Sequence, residues 1–286
     1  MEIIIIICAV TAVLMVLAAV LIRRENKKID LTEYDVYDEC LPEGFDGARI
    51  VHISDFHNSL FGKNNERLIS LISEQKPDYI FITGDLLDAR RPKFNITDAF
   101  VRNIAGIAPI YYCTGNHESR VLSDLKKIEK RFRSCGIKCL RCSFANIKRN
   151  GSRVRIIGVD DPSFFKGCQD RKAKEEMMGE RVSELTDPDS YNILLAHKPH
   201  LFSRYEEAGA DLVFSGHAHG GQFRLPFNIP LFTPDEGLFP KYAQGVKESE
   251  NTRMVISRGL GQSAIPFRLN NSPELVKVTL HSGKKK

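Results

Sequence analysis

A long basic stripe with interleaved aromatic residues is missing from this sequence. The formal net charge is only +5, and the clusters of basic residues are short: Arg23-Arg24, Lys27-Lys28 and residues 284–286. Nucleic-acid-binding domains usually carry a concentrated basic face. We therefore do not expect nucleic acid to be a partner. Internal repeats are also missing, and the lysine tail is the only low-complexity stretch.

A disulfide framework is missing as well. The chain has seven cysteines, of which Cys8 lies in a hydrophobic segment, and the others show no framework spacing for a chain of 286 residues. Cys135, Cys139 and Cys142 form a C-x3-C-x2-C run, but no fourth soft ligand is close in sequence, and structural zinc sites normally have four ligands. We interpret these cysteines as reduced thiols, which favours a reducing compartment; a structural metal is the alternative.

The first segment is strongly apolar. Residues 3–22 contain a single polar residue, Thr11, and about 20 residues at ~1.5 Å per residue span the roughly 30 Å core of a bilayer. A cleaved signal peptide is the alternative, but Glu2 precedes the run, and it ends at Ile22-Arg23 without an A-x-A site. We predict an uncleaved anchor over residues 1–28, then a linker and first strand region over 29–47, and one large domain over 48–286.

The charges beside this segment predict its orientation. Arg23, Arg24, Lys27 and Lys28 all follow the apolar run, and no Lys or Arg precedes it. Because cytoplasmic flanks are enriched in Lys and Arg, we expect the large domain on the cytoplasmic face of a membrane.

Short apolar runs alternate with helical patterns after residue 48. We predict strands at 49–54, 79–83, 109–114, 154–159, 192–196, 212–215 and 254–257, with helices at 64–75, 97–105 and 119–135. This order predicts an α/β fold with a largely parallel core. Asn150-Gly151 separates two β-rich runs and is typical of a tight hairpin turn, so a mixed, two-sheet sandwich is favoured over a purely parallel sheet. Residues 162–188 are expected to have a helical middle, and 221–246 to form a long loop.

Five of these runs end directly in residues that can bind metals. In open α/β sheets, ligands gather at the carboxyl ends of the strands. In an extended segment, residues i and i+2 face the same side, so a D-x-H or H-x-H pair can chelate one ion. Imidazole together with carboxylate suits Mn, Fe or Zn better than Ca or Mg. The residues are Asp55 and His57, Asp85, Asn116 and His117, His197, and His217 and His219.

These blocks, D-x-H, G-D, G-N-H-E, a lone H and G-H-x-H, resemble the metal-binding blocks of calcineurin-like metallophosphoesterases, from about Ile50 to His219. The runs G-H-A-H-G-G-Q at 216–222 and S-R-G-L-G at 257–261 resemble the membrane-associated bacterial branch, which includes UDP-2,3-diacylglucosamine pyrophosphatase-like phosphohydrolases. The resemblance implies a four-layer sandwich of two mixed β-sheets flanked by helices, here preceded by one N-terminal transmembrane helix.

The resemblance also implies a role for each residue. It assigns Asp55, His57 and His219 to a first metal ion, and Asn116, His197 and His217 to a second. Asp85 would bridge the two ions, which are divalent or trivalent Mn, Fe or Zn. His117 would be the catalytic residue, facing the substrate without binding metal, and Glu118 would cap or orient the helix that follows.

The function implied is a membrane-anchored phosphohydrolase that cleaves a phosphodiester, pyrophosphate or phosphomonoester by metal-activated water. The expected partners are a phosphorylated small molecule or lipid, for instance a lipid or envelope precursor, and the membrane itself. A cyclic nucleotide or a phosphoprotein is chemically possible too. The alternative from another class is a non-catalytic, metal-bound scaffold, although all seven ligand positions hold competent residues.

An apolar stretch follows the last metal block. We hypothesise that it dips into the bilayer or receives an acyl chain, and packing on the domain is the alternative. Its residues are Phe223, Leu225, Phe227, Ile229, Leu231 and Phe232.

Overall fold

Two six-stranded sheets form the centre of the structure, a computed structural model that describes residues 1–262, 265 and 267–285. The helices are α1 (Glu2–Glu25), α2 (Glu66–Glu74), α3 (Phe94–Ile104), α4 (Leu122–Ser134), α5 (Arg171–Ser183) and α6 (Phe202–Glu207). The strands are β1 (Asp30–Asp38), β2 (Arg49–Ile53), β3 (Tyr79–Thr83), β4 (Ile110–Cys113), β5 (Lys138–Cys139), β6 (Ser143–Arg149), β7 (Ser152–Gly158), β8 (Tyr191–Leu195), β9 (Leu212–Ser215), β10 (Arg224–Leu225), β11 (Ile229–Pro230), β12 (Phe232–Thr233), β13 (Gly237–Leu238), β14 (Gly245–Glu248), β15 (Arg253–Ile256) and β16 (Glu274–Ser282).

Both large sheets are mixed. The first has the order β1-β16-β2-β3-β4-β5, in which β16 and β2 are antiparallel and β2 to β5 run parallel. The second has the order β14-β15-β9-β8-β7-β6, with parallel strands in the middle and an antiparallel pair at each end. The predicted α/β fold with two mixed sheets is confirmed.

The hydrophobic core has three parts, which separate four layers. One cluster lies between the sheets, where Phe81 of β3 meets Phe214 of β9 with ring centroids 5.1 Å apart. A second cluster packs α2, α3 and α4 on the outer face of the first sheet, and a third packs α5 and α6 on the outer face of the second. This helix–sheet–sheet–helix arrangement confirms the predicted four-layer sandwich.

Most predicted elements lie within two or three residues of their observed bounds. The strands 79–83 and 212–215 match, and α5 supplies the helical middle expected within 162–188. The hairpin at Asn150-Gly151 is confirmed: it joins β6 to β7, and both residues have positive φ, 48° and 82°. Such a two-residue turn follows the right-handed twist of the strands, and few residue types other than Asn and Gly adopt it readily.

Two regions differ from the expectation. Strand β16 was not predicted, although its residues alternate between buried and half-buried from Val276 to His281, the pattern of a strand with one buried face. Residues 221–246 are not a continuous loop. They contain two short antiparallel pairs, β10 with β11 and β12 with β13. Backbone hydrogen bonds across such short pairs leave no periodicity in the sequence.

The cysteines are all free thiols. Cys139 is buried, and Cys135 and Cys142 are half-buried. Among the described residues, none of the three cysteines of the C-x3-C-x2-C run belongs to a group that could hold a metal ion.

Candidate metal centre

The five predicted strand ends meet at one place, where the ends of β2, β3 and β4 in the first sheet face those of β8 and β9 in the second. Glycines allow this approach. A Cβ atom on Gly216 would lie 1.8 Å from the Ser54 Oγ, and one on Gly84 would lie 2.3 Å from the Gly115 nitrogen. Any larger residue at either position would push the two strand ends apart.

The backbone turns sharply as each strand ends, so the D-x-H and H-x-H segments are not extended as their spacing predicted, and His217 and His219 fall in different groups. Five of the predicted ligands have positive φ, between 46° and 63°, a region that non-glycine residues rarely adopt. Each such residue costs on the order of 1–3 kcal/mol and persists where the surrounding structure imposes it, most often at functional sites. The five residues are Asp55, His57, Asp85, His217 and His219.

Asp55, His57 and His219 form the first group of converging ligand atoms. The His219 Nε2 lies 3.3 Å from the His57 Nε2 and 3.3 Å from the Asp55 Oδ1. The other Asp55 oxygen, Oδ2, accepts hydrogen bonds from the Ser54 hydroxyl at 2.6 Å and from the His217 backbone N–H at 2.9 Å. These bonds fix the carboxylate so that Oδ1 faces the two imidazoles.

Asp85, His197 and His217 form the second group. The His197 Nδ1 donates to the Thr83 carbonyl at 2.7 Å, so its Nε2 faces the Asp85 Oδ2 at 3.4 Å and the His217 Nδ1 at 3.2 Å. The Asp85 Oδ2 also lies 3.6 Å from the His57 Nε2 of the first group. Asp85 is therefore positioned between the two groups, as expected for a bridging ligand.

The chemistry of these residues fits divalent cations. Within the described residues, the buried Asp55 Oδ1 and Asn116 Oδ1 have no hydrogen-bond partner. Such oxygens are costly to bury unless something binds them. Asn116 lines the same cavity as Asp85, His117, His217 and His219. The structure thus brings all seven predicted ligands together; their assignment to two ions stays a prediction.

The electrostatics agree with this fit. Burial lowers the pKa of His57 to about 3 and that of His217 to about 4, so both imidazoles are neutral at neutral pH, the form that binds metals. Burial also acts to lower the pKa of His197, but the Asp85 and Asp55 carboxylates outweigh it and raise that pKa to about 10. His197 therefore holds a proton against two carboxylates, and a cation would take that proton's place.

His117 faces the same cavity with a defined donor. Its Nδ1 accepts a hydrogen bond from the Ala89 backbone N–H at 3.0 Å, so the proton of the neutral ring is on Nε2. The Nε2 lies 3.9 Å from the Asp85 Oδ2. Burial lowers the pKa of His117, which favours this neutral form. His117 also belongs to a third group with His57 and Asp88.

Glu118 does more than the expected orientation of the next helix. Its buried carboxylate accepts backbone N–H bonds from Asp85 at 2.8 Å, Gly115 at 2.8 Å and Leu87 at 3.1 Å. Burial and the nearby Asp85 raise the pKa of Glu118 to about 7. Glu118 thereby ties the end of β3 to the end of β4 and fixes the backbone of Asp85.

Asp235 was not predicted. Its Oδ2 lies 2.8 Å from the His217 Nε2 and accepts a hydrogen bond from the Lys198 Nζ at 2.9 Å. Burial acts to raise the pKa of Asp235, but His200, His217 and Lys198 outweigh it and lower the pKa below its ordinary value. The His217 Nε2 therefore lies beside this carboxylate and the Lys198 Nζ, 2.7 Å away, and the ring presents Nδ1 to the metal centre. No local motif marks Asp235, because the fold alone brings it to His217.

Two clefts open beside these residues. One, of about 410 Å³, contains Asn116, His117 and His217 and is lined mainly by charged and polar side chains. The other, of about 760 Å³, runs from His57 to the base of α1 and includes Ile22. Arg90 lines both, and its Nη1 lies 3.5 Å from the His117 Nε2.

The calcineurin-like phosphoesterase family model matches residues 48–221, the part of the chain that carries both groups of ligands. The chain therefore belongs to this family and is a phosphoesterase, a hydrolase. It is 29% identical to the metallophosphoesterase YkuE of Bacillus subtilis (strain 168), over 90% of this chain and 87% of that one.

Two further relatives cover most of the chain. Phosphodiesterase YaeI of Escherichia coli (strain K12) is 28% identical over 81% of this chain and 82% of its own length. The "Transmembrane protein with metallophosphoesterase domain" of Danio rerio is 28% identical over 95% of this chain and 61% of its own length.

Proposed function

We propose that this phosphoesterase uses two metal ions and is anchored in a membrane by α1, with its domain on the cytoplasmic face. Its substrate is a phosphodiester, pyrophosphate or phosphomonoester of a lipid or envelope precursor. The observation that carries the two-metal part is the convergence of two adjacent ligand groups on either side of Asp85, with the ligand atoms of each group within 4.8 Å of one another.

The ligand assignment in this proposal is the one that the resemblance implies, and the two groups of converging ligand atoms support it. Asp55, His57 and His219 would hold one ion, Asn116, His197 and His217 would hold the other, and Asp85 would contribute to both. The ions would lower the pKa of water toward about 7 and so supply the nucleophile at neutral pH. Mn, Fe and Zn all suit these nitrogen and oxygen ligands.

His117 supplies a hydrogen-bond donor in this proposal. Its Nε2–H is held toward the cavity by the Ala89 N–H bond at Nδ1. From there it would donate a hydrogen bond to a phosphoryl oxygen and stabilise the negative charge on it. Arg90 lies beside His117 on the boundary of both clefts. Its fixed charge offsets the negative charge of the phosphoryl group.

The membrane part of the proposal depends on α1. This 24-residue helix is strongly apolar, and none of the described side chains in its most apolar stretch is buried. A Danio rerio relative is described as a transmembrane protein. Arg23 and Arg24 end the helix and Lys27 follows, the distribution expected on the cytoplasmic side.

The cleft beside α1 supports a lipid substrate. It joins His57 to Ile22 and Phe267, and it carries Arg23 and Lys27 at the same end. Cations beside apolar side chains at the end of a membrane helix match an anionic headgroup with its acyl chains in the bilayer. A lipid could therefore present its phosphate to the metal ions without leaving the membrane.

The test is hydrolysis of bis(p-nitrophenyl) phosphate and p-nitrophenyl phosphate by the full chain in detergent, stripped of metal and reloaded with Mn, Fe or Zn. We expect metal-dependent turnover that falls by more than about 100-fold in Asp85→Asn, because losing a shared ligand costs more than losing an outer partner of a ligand. The ratio of diester to monoester turnover then narrows the substrate class.

The matched control is Asp88→Asn, which removes a nearby carboxylate that is not among the seven ligands. Equal losses in Asp85→Asn and Asp88→Asn would contradict the ligand assignment. No turnover with any of the three metals would contradict the broad phosphoesterase activity proposed here.

A further inference from the structure

A group of large apolar side chains is exposed on the segment that follows the metal ligands. Phe227 is 96% exposed, the highest value among the phenylalanines of the described residues, and it has a positive φ of 65°. Neither packing nor backbone preference explains a phenylalanine there. The group, which we call the apolar face, consists of Leu225, Phe227, Phe232, Leu238 and Phe239.

The segment under the apolar face is held firmly. Arg224 is buried, and its guanidinium donates to the Asn228 carbonyl at 2.9 Å, which closes the turn that carries Phe227. The Leu231 N–H donates to the Phe223 carbonyl at 2.9 Å, and the Phe239 N–H donates to the Leu231 carbonyl at 3.0 Å. These bonds present the apolar side chains outward in a fixed arrangement.

The apolar face is continuous with the base of α1. The side chain of Asn26, at the end of α1, bonds the backbone of Arg268 at both its N–H (2.8 Å) and its carbonyl (2.9 Å). On either side of Arg268, the Phe267 ring contacts the Phe223 ring with centroids 5.5 Å apart, and Leu269 forms a backbone bridge with Phe223. One short stretch of chain thus joins the membrane helix to the segment that carries the apolar face.

Positive charge lies beside the base of α1. The cleft between the base of α1 and His57 is lined by five basic side chains. Exposed aromatic and leucine side chains next to clustered Lys and Arg are typical of surfaces that lie in the interface of an anionic bilayer. The five residues are Arg23, Lys27, Arg90, Arg91 and Lys93.

We infer that the apolar face inserts into the interface of the same bilayer that holds α1, so that the domain rests on the membrane at two points. This inference depends on the anchoring proposed above. The occupant is the lipid surface, because the face is joined through Phe223 and Arg268 to the base of an apolar helix whose described residues are mostly exposed, and cations line the cleft beside that base. Contact with the bilayer at both α1 and the apolar face would hold the cleft that leads to His57 at the depth of the lipid headgroups.

The same segment also reaches the metal centre. Asp235 lies between Phe232 and Leu238, and its carboxylate contacts the His217 Nε2 at 2.8 Å. Docking of the apolar face therefore restrains the chain on both sides of a group that orients a metal ligand.

The chain has no tryptophan, so single-tryptophan variants report position without background. The full chain is reconstituted in vesicles containing phosphatidylglycerol and lipids brominated either near the headgroup or near the chain end. Phe227→Trp is compared with Leu14→Trp in the middle of α1, and with Phe144→Trp on β6. Phe144 is also exposed, at 44%, but stacks on Arg155 away from α1.

We expect bromine near the headgroup to quench Phe227→Trp, bromine near the chain end to quench Leu14→Trp, and neither lipid to quench Phe144→Trp. Phe227→Trp emission that equals that of Phe144→Trp in both lipids would overturn the inference, whether the face is free in water or covered by protein. Loss of quenching at Leu14→Trp would overturn the anchor as well. Neither readout depends on activity, so failure of the phosphohydrolase proposal is seen separately.

Discussion

The metal centre and the apolar face are separated by only a few residues of chain, yet they are opposites in physical character. His219 is buried, and its ring contacts Asp55, His57 and Arg268. Phe227, eight residues later, is almost wholly exposed. Polar side chains are thus enclosed in the one region, and apolar side chains face outward in the other.

Unpaired polar atoms in the one region and exposed apolar side chains in the other both indicate binding of something outside the chain. Buried polar atoms without partners are expensive, and exposed apolar patches are uncommon on monomeric proteins. The metal centre accounts for the first feature by binding cations. In our inference, the membrane accounts for the second. Asp235 connects the two regions, because it lies on the exposed segment and contacts a buried ligand.

The largest expected effect separates chemistry from metal binding within the metal centre. His117→Ala should lower kcat with bis(p-nitrophenyl) phosphate by ~10²–10³-fold, since a positioned hydrogen-bond donor to the phosphoryl oxygen is lost. The bound metal, measured by mass spectrometry on the same sample, should not change. A parallel loss of bound metal would instead show that His117 is itself a ligand, together with His57 and Asp88 of the third group.

Asp235→Asn tests the connection between the two regions. The amide no longer offers a carboxylate beside the His217 Nε2 and the Lys198 Nζ, so the ring is oriented less firmly and the affinity for Mn should fall roughly 10–100-fold in a competition titration. Glu236→Gln is the matched control, because Glu236 is the next residue but binds the backbone N–H groups of Lys241 and Tyr242. Equal Mn affinity in both variants would show that Asp235 does not influence metal binding.

Glu118→Gln measures how far the backbone of the metal centre depends on one carboxylate. The amide nitrogen cannot accept the N–H bonds that Glu118 takes, so a buried donor is left unpaired, at a cost of about 1–3 kcal/mol. Urea unfolding of the metal-free protein measures this loss. Glu184→Gln, at an exposed position, should stay within about 0.5 kcal/mol of the unchanged protein, and a similar value for Glu118→Gln would contradict the account.

The smallest expected effect is at the apolar face. Phe227→Ser should leave both the hydrolysis of soluble p-nitrophenyl substrates and the midpoint of thermal unfolding unchanged, because Phe227 is 96% exposed and supports no core. A loss of turnover with the soluble substrate would erase the distinction between the two regions, since the face would then support the metal centre directly.

Much of the fold and of the metal centre could be predicted from local patterns. The strands that end in Asp55, Asp85 or His217 are short apolar runs followed at once by metal-competent residues, and both signals lie within a few positions. The turn at Asn150-Gly151 is equally local. Each of these features depends on neighbours in sequence, so the sequence alone predicts them.

The remaining features depend on contacts between distant residues. The place of strand β16 between β1 and β2 depends on pairing with strands near the other end of the chain, which its own alternation of buried and half-buried residues does not specify. Asp235 reaches His217 through the two short pairs β10–β11 and β12–β13, which have no sequence period. The role of Glu118 is set by three N–H groups on two strand ends.

The central claim is that seven residues hold two ions with Asp85 shared between them. The most direct test is equilibrium dialysis of the metal-free full chain against Mn, with bound metal counted by mass spectrometry in the unchanged protein and in Asp85→Asn. The account predicts two ions per chain for the unchanged protein, and weaker, incomplete loading for Asp85→Asn. One ion per unchanged chain, or equal loading of both proteins, would contradict it.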